Sequence, residues 1–191
     1  MNEKTKETPK KSGGITAMVF DIVSILVTTF VAVAVVFIFA VRTIGVDGSS
    51  MWPTLNHGDR IIISAYAYTP EYGDIVVTCQ PNNSTDIEDI LIKRVIATEG
   101  QVIDIDFIRG IVYVDGEALD EPYTASPTYD RETFKGPMEI PEGYVFVMGD
   151  NRNNSTDSRD FRVGLIREEY IMGKALFRTS PFTAFYKGVN E

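Results

Sequence analysis

The sequence predicts a mainly β domain of antiparallel sheets, carried behind one N-terminal transmembrane helix. Three observations lead there. A run of 20 apolar residues, Ile22–Val41, carries no charge. Beyond it, apolar residues fall into short segments rich in Val, Ile, Tyr and Phe, each bounded by Gly, Pro, Asn or Asp. No long stretch outside the run keeps the 3.6-residue period of an amphipathic helix. The 191 residues suffice for such a helix and one domain of ordinary size, large enough for a core without staples.

Residues 1–16 are expected to form a disordered cytoplasmic tail, being polar, charged and interrupted by Gly13-Gly14. The anchor is placed at 17–41. Its apolar run spans about 30 Å at 1.5 Å per residue, the hydrocarbon thickness of a bilayer. Ser24, Thr28 and Thr29 are tolerated because their hydroxyls bond back to helix carbonyls. Lys4, Lys6, Lys10 and Lys11 precede the run and only Arg42 lies just after it, which predicts a single pass of the plasma membrane with the N-terminus cytoplasmic. Two other readings fit less well. A cleaved secretory leader has a shorter apolar segment and a small-x-small exit, where this chain has Arg42-Thr43-Ile44-Gly45. A buried core helix normally shows a polar solvent face.

The outer domain is placed at 42–191. Strands are predicted at Arg60–Ala65, Asp74–Cys79, Ile90–Thr98, Gln101–Phe107, Gly110–Val114, Tyr144–Met148 and Tyr170–Arg178. Asp115-Gly116 is a hairpin-turn signal. Arg167–Ile171 is the one short helical candidate. Asp120–Pro141 holds four prolines and few apolar residues and reads as a loop or the rim of an insertion. The domain core is assigned to 42–102 and 142–191, with a small β insertion at 103–141.

Charge and rare residues narrow the function. The net charge of −9 divides into +1 for residues 1–41 and −10 for residues 42–191. So acidic an outer domain argues against nucleic acid as a partner. The single cysteine, Cys79, excludes an intrachain disulfide and reads as a small buried apolar residue. The single histidine is His57.

Three places carry candidate chemistry. Ser50 sits in Gly48-Ser49-Ser50-Met51-Trp52-Pro53, seven residues past the run at its start, where Gly48 permits close approach and Pro53 fixes the chain. Lys93 lies in Ile90-Leu91-Ile92-Lys93-Arg94-Val95-Ile96. Alternation gives it apolar neighbours and leaves two readings: an edge strand blunted by charge, or a desolvated amine able to take a serine proton. The run from Gly149 to Arg159 is dense in Asp, Asn, Ser and Arg. It reads as an ordinary polar turn, as a calcium loop with Asp150, Asn154 and Asp157 at spacings that miss the EF-hand pattern, or as a buried polar scaffold.

Taken in order, Ser50-Met51-Trp52-Pro53-Thr54-Leu55, Gly73-Asp74-Ile75-Val76-Val77, Lys93-Arg94-Val95 and the run from Gly149 to Arg159 resemble the motif set of bacterial type I signal peptidases. Ile111–Glu117 resembles that family's hairpin, and the short segment between Ile103 and Glu142 resembles its Gram-positive branch. The resemblance implies a signal-peptidase fold and a membrane-anchored serine endopeptidase that cuts exported precursors after small-x-small (Ala-x-Ala) sites. Ser50 would be the acylated serine and Lys93 its general base. Ser155 would orient the lysine, with Asp157 and Arg159 as supporting ion pair. The oxyanion would be met at Ser50 N–H and around Gly48, where some members carry a hydroxyl residue. Small pockets near Val46, Leu55, Leu91 and Ile92 would accept the substrate's alanines. No cofactor or metal is implied. The implied partners are signal peptides and membrane lipid, and a monomer suffices. Two other functions remain compatible with the sequence: a dedicated, pilin-type processing peptidase of the same fold, and a non-enzymatic peptide-binding β-domain in which Lys93 and Ser155 need not converge on Ser50.

Overall fold

The computed structural model describes residues 14–64, 68–79, 81, 90–179 and 182–184. The expected tail, up to residue 13, and Ala65 lie outside them. The chain divides into two units, residues 1–39 and 40–191.

In the first unit, helix α1 (Ile15–Ala40) begins before the apolar run and is long and apolar enough to cross a membrane. Its side chains are exposed from Ile15 to Val33. Thr28 Oγ1 donates to the Ser24 carbonyl at 2.7 Å, so the hydroxyl is satisfied within the helix.

The second unit is antiparallel β. Its strands are β1 (Val41–Gly45), β2 (Arg60–Ser64), β3 (Ile75–Cys79), β4 (Ile90–Ala97), β5 (Val102–Asp106), β6 (Ile111–Val114), β7 (Glu117–Ala118), β8 (Met138–Glu139), β9 (Tyr144–Met148), β10 (Ile166–Arg167), β11 (Ile171–Thr179) and β12 (Phe182–Ala184). The larger sheet runs β1-β2-β11-β3-β4-β9-β10, with β12 on β11; the smaller runs β7-β6-β5-β8. The seven strands expected from sequence correspond to β2, β3, β4, β5, β6, β9 and β11. β1 was not foreseen: only Val41 belongs to the apolar run, and the strand character of Val41–Gly45 comes from pairing with β2. The hairpin after β6 places Asp115 at φ 53° and Gly116 at φ 82°, the left-handed pair that a two-residue turn requires.

Three corrections follow. β4 is an interior strand between β3 and β9, so Lys93 does not blunt an edge. Cys79 is exposed, since it lies at the end of β3 past Thr78, the strand's last buried residue. Arg167–Ile171 holds only the 3₁₀ turn Glu168–Tyr170 between β10 and β11.

Three apolar clusters hold the domain. One joins the sheets, with Ile96, Phe146 and Met148 against Ile103, Val112, Phe134 and Ile140. A second packs Met51 and Leu55 onto Ile61, Ile63, Ile75 and Val77. The third gathers Val76, Val95, Val145, Val147, Val163 and Ile166. The second cluster seats the Ser50 turn: the Leu55 N–H bonds the Met51 carbonyl at 2.9 Å, and both side chains turn inward.

Candidate active site

Lys93 lies on β4 opposite Val76 of β3 and is 3% exposed. Its Nζ donates to Ser50 Oγ at 2.8 Å. Two polar residues 43 apart in sequence are thus in direct contact, one almost wholly buried.

The run after β9 wraps behind this pair. Gly149 N–H donates to Asp157 Oδ2 at 3.0 Å, and Ser155 Oγ donates to the same oxygen at 2.8 Å. Arg159 grips the Asp157 carboxylate at 2.8 and 2.9 Å, and both side chains are fully buried. Arg159 also donates to the carbonyls of Arg152, Ser155 and Asp130, so one guanidinium ties the loop together. Burial alone would push the Asp157 carboxyl up. The Arg159 hydrogen bonds and charge, the Lys93 charge and the Gly149 N–H outweigh that and hold it below the ordinary value of 3.8.

The same run holds the serine turn. Asn151 N–H donates to the Ser50 carbonyl at 2.9 Å, Asn151 Nδ2 to the Ser49 carbonyl at 3.1 Å, and Asn154 Nδ2 to Ser49 Oγ at 3.0 Å. Asp150 accepts Arg94 Nε at 2.8 Å and Nη2 at 2.6 Å, and also the hydroxyl of Thr54. Gly149 is required by close approach: a Cβ there would collide with Ser155 Oγ and the Ser50 carbonyl oxygen. The calcium reading fails on chemistry, because Asp150 and Asp157 are each committed to a guanidinium.

Gly48 has φ 79°, and its N–H is engaged by Asp47 Oδ1 at 2.8 Å. The Ser50 N–H donates to no atom among the described residues. His57 is three-quarters exposed, with Nδ1 at 3.0 Å from Asp47 Oδ1. A groove of about 280 Å³ opens at Ser50 and Lys93 and is lined also by Ile44–Asp47, Met51 and Ile90–Ile92. Val46, Leu91 and Ile92 are among the residues that line it. Leu55 is not: it is fully buried in the cluster beneath the turn.

The structure therefore brings together Ser50, Lys93, Ser155, Asp157 and Arg159. The sequence reading missed Gly149 as a packing requirement and Asp150 and Arg94 as a pair. Arg94 was visible beside Lys93, and Asp150 beside Gly149, but pairing across 56 residues has no local signal.

A hydroxyl in contact with a buried amine, a backbone N–H without an acceptor among the described residues and an adjoining groove together form an arrangement capable of acyl transfer without histidine. The description "signal peptidase, peptidase S26" matches residues 19–180, and the chain belongs to that family. A probable signal peptidase I-1 of Synechocystis sp. is 40% identical over 144 residues, covering 71% of this chain and 69% of that protein. A signal peptidase I of Bacillus amyloliquefaciens is 36% identical over 147 residues, covering 72% of each. A crystal structure of a signal peptidase I from Enterococcus faecalis V583 shares 25% identity at a TM-score of 0.45, covering 56% of this chain and 97% of that one.

Proposed function

We infer that this chain is a membrane-anchored serine endopeptidase that removes signal peptides from exported precursors, using Ser50 as nucleophile and Lys93 as general base. The observation that carries the reading is the 2.8 Å contact between Lys93 Nζ and Ser50 Oγ. In its neutral form the Lys93 amine, at that distance, accepts the hydroxyl proton as Oγ attacks the scissile carbonyl. The oxyanion is assigned to the Ser50 N–H; the Gly48 amide is already bonded to Asp47. Collapse expels the new amino terminus, which takes the proton back from Lys93. A water then gives its proton to Lys93 as its oxygen attacks the acyl carbonyl; collapse breaks the ester bond to Ser50, and Oγ takes the proton back from Lys93 as the cleaved signal peptide leaves with its new carboxyl end.

Ser155 is assigned to aim the amine, and Asp157 with Arg159 to hold Ser155. Their shared carboxylate oxygen and full burial support this. The groove's apolar lining supports a substrate strand presenting small side chains, as in Ala-x-Ala, paired along Ile44–Asp47. We divide the chain into the tail at 1–16, the anchor at 17–41 and the extracytoplasmic domain at 42–191. The lysines before the anchor support a cytoplasmic N-terminus, with lipid around α1.

Cleavage of a purified Ala-x-Ala precursor by the full chain tests the reading. Ser50→Ala and Lys93→Ala are expected to abolish cleavage, whereas His57→Ala keeps it. Loss of activity in a folded His57→Ala protein would overturn the serine–lysine mechanism.

A further inference from the structure

Residues 121–130, within the expected insertion, run against the active-site loop. The Ala125 N–H donates to the Asp150 carbonyl at 3.0 Å, and the amides of Tyr129 and Asp130 both donate to Asn153 Oδ1 at 2.9 Å. Glu121 takes Arg152 in two bonds, at 2.6 and 2.5 Å, and Arg152 Nε reaches the Gly149 carbonyl at 3.2 Å. At the centre is Tyr123, 7% exposed. Its ring centroid lies 3.9 Å from the Arg94 guanidinium carbon and 6.0 Å from that of Arg152. Its hydroxyl donates to Glu121 Oε1 at 2.9 Å and lies 3.2 Å from the Tyr72 hydroxyl.

We infer that Tyr123 is a positioning residue for the Ser50–Lys93 pair, acting through the Arg94 guanidinium that its ring covers. The inference rests on the function proposed above. Arg94 follows Lys93 on β4, so its placement and that of the amine share a backbone. The edge of its guanidinium is held by Asp150 and by the Gly73 carbonyl at 2.7 Å, and its face is covered by the Tyr123 ring. A planar cation fixed at both edge and face keeps little freedom. Asp150, in turn, holds the hydroxyl of Thr54, four residues past the nucleophile, and the next residue, Asn151, bonds the Ser50 carbonyl. The Arg94–Asp150 pair is therefore tied at one end to the base strand and at the other to the nucleophile turn. Tyr123 closes its open face. Burial, with the Glu121 charge, pushes the tyrosine hydroxyl far above its ordinary range, so it remains a neutral donor.

The test is steady-state cleavage of an Ala-x-Ala precursor by the full chain in detergent, with denaturation midpoints measured alongside. Tyr123→Leu keeps apolar volume and loses the π face; Tyr123→Phe keeps the ring and loses the hydroxyl. Per folded molecule, Tyr123→Leu is expected to lower kcat about tenfold with KM unchanged, and Tyr123→Phe to stay within about twofold of wild type. Should Tyr123→Leu not fold, Tyr123→Met carries the same expectation, because its unbranched chain adapts to the site. Wild-type kcat in the folded apolar variant, a change confined to KM, or a Phe variant as impaired as the Leu variant would each overturn the role. Failure of the function itself reads differently, since the wild-type chain would then leave the precursor uncut.

Discussion

Asp157 ties the stability of the fold to pH. Its carboxyl is held below 3.8 in the folded chain, so folding favours the ionised form. A depressed carboxylate contributes its full stability above the unfolded value and loses it as pH falls through 3.8 and below. Asp157→Asn is therefore expected to be less stable than wild type at neutral pH. The gap should close below about pH 4 in denaturation midpoints measured against pH. Removing the carboxylate in Asp157→Ala leaves Arg159 buried without its partner, a loss of about 3–5 kcal/mol. Ser155→Ala should keep the midpoint and lower kcat, since a misaimed amine slows proton transfer without unfolding anything. A folded Asp157→Ala with a displaced pH–rate profile would instead make Asp157 a direct tuner of the base. At this scale Ser50, Lys93, Ser155, Asp157 and Arg159 stand out in the sequence by residue type and motif, and their approach to one another comes from the fold. Leu55 was misread, because which way a turn residue points depends on what lies beneath it.

At the scale of elements, the loop from Gly149 to Arg159 joins β9 to the serine turn and leaves no room for adjustment. A side chain at Gly149 must displace either Ser155 or the Ser50 carbonyl, and neither can move without loosening the pair in front. Gly149→Ala is expected to cost about 1–3 kcal/mol of stability, as overpacking does. Its kcat per folded molecule should fall further than that loss explains. An enzyme destabilised but fully active would show that the loop relaxes without consequence for Ser50. The strands were legible because β-branched and aromatic runs between turn residues state where a strand lies. They do not state which strands neighbour it. Lys93 is therefore ambiguous in sequence and resolved by β3 and β9 on either side. The proline-rich segment from residue 120 was read as a loop or the rim of an insertion, and its contact with the active-site loop had no local signal, since its hydrogen bonds run to Asp150, Asn153 and Arg152 rather than along a strand.

For the whole molecule, the charge division is the relevant quantity. Residues 1–41 carry +1 and residues 42–191 carry −10, with four lysines ahead of the anchor. Protease added outside spheroplasts is expected to digest the chain beyond Arg42 and to spare the tail, read with antibodies to each end. Protection of the outer domain would reverse the orientation proposed here. The same measurement separates a retained anchor from a cleaved leader, since cleavage would free the outer domain into the medium.

The sequence by itself determined the apolar helix, the seven main strands and the family, because hydropathy, alternation and ordered motifs are local properties of the chain. Only the tertiary structure decided that Lys93 is interior, that Cys79 is exposed, that Leu55 is core, and that Asp150, Arg94 and Tyr123 meet behind the nucleophile. Each of these depends on which segment lies against which, and contacts such as Val76–Lys93, Arg94–Tyr123 and Arg94–Asp150, 17, 29 and 56 residues apart, are fixed by packing and charge pairing, which no local pattern records.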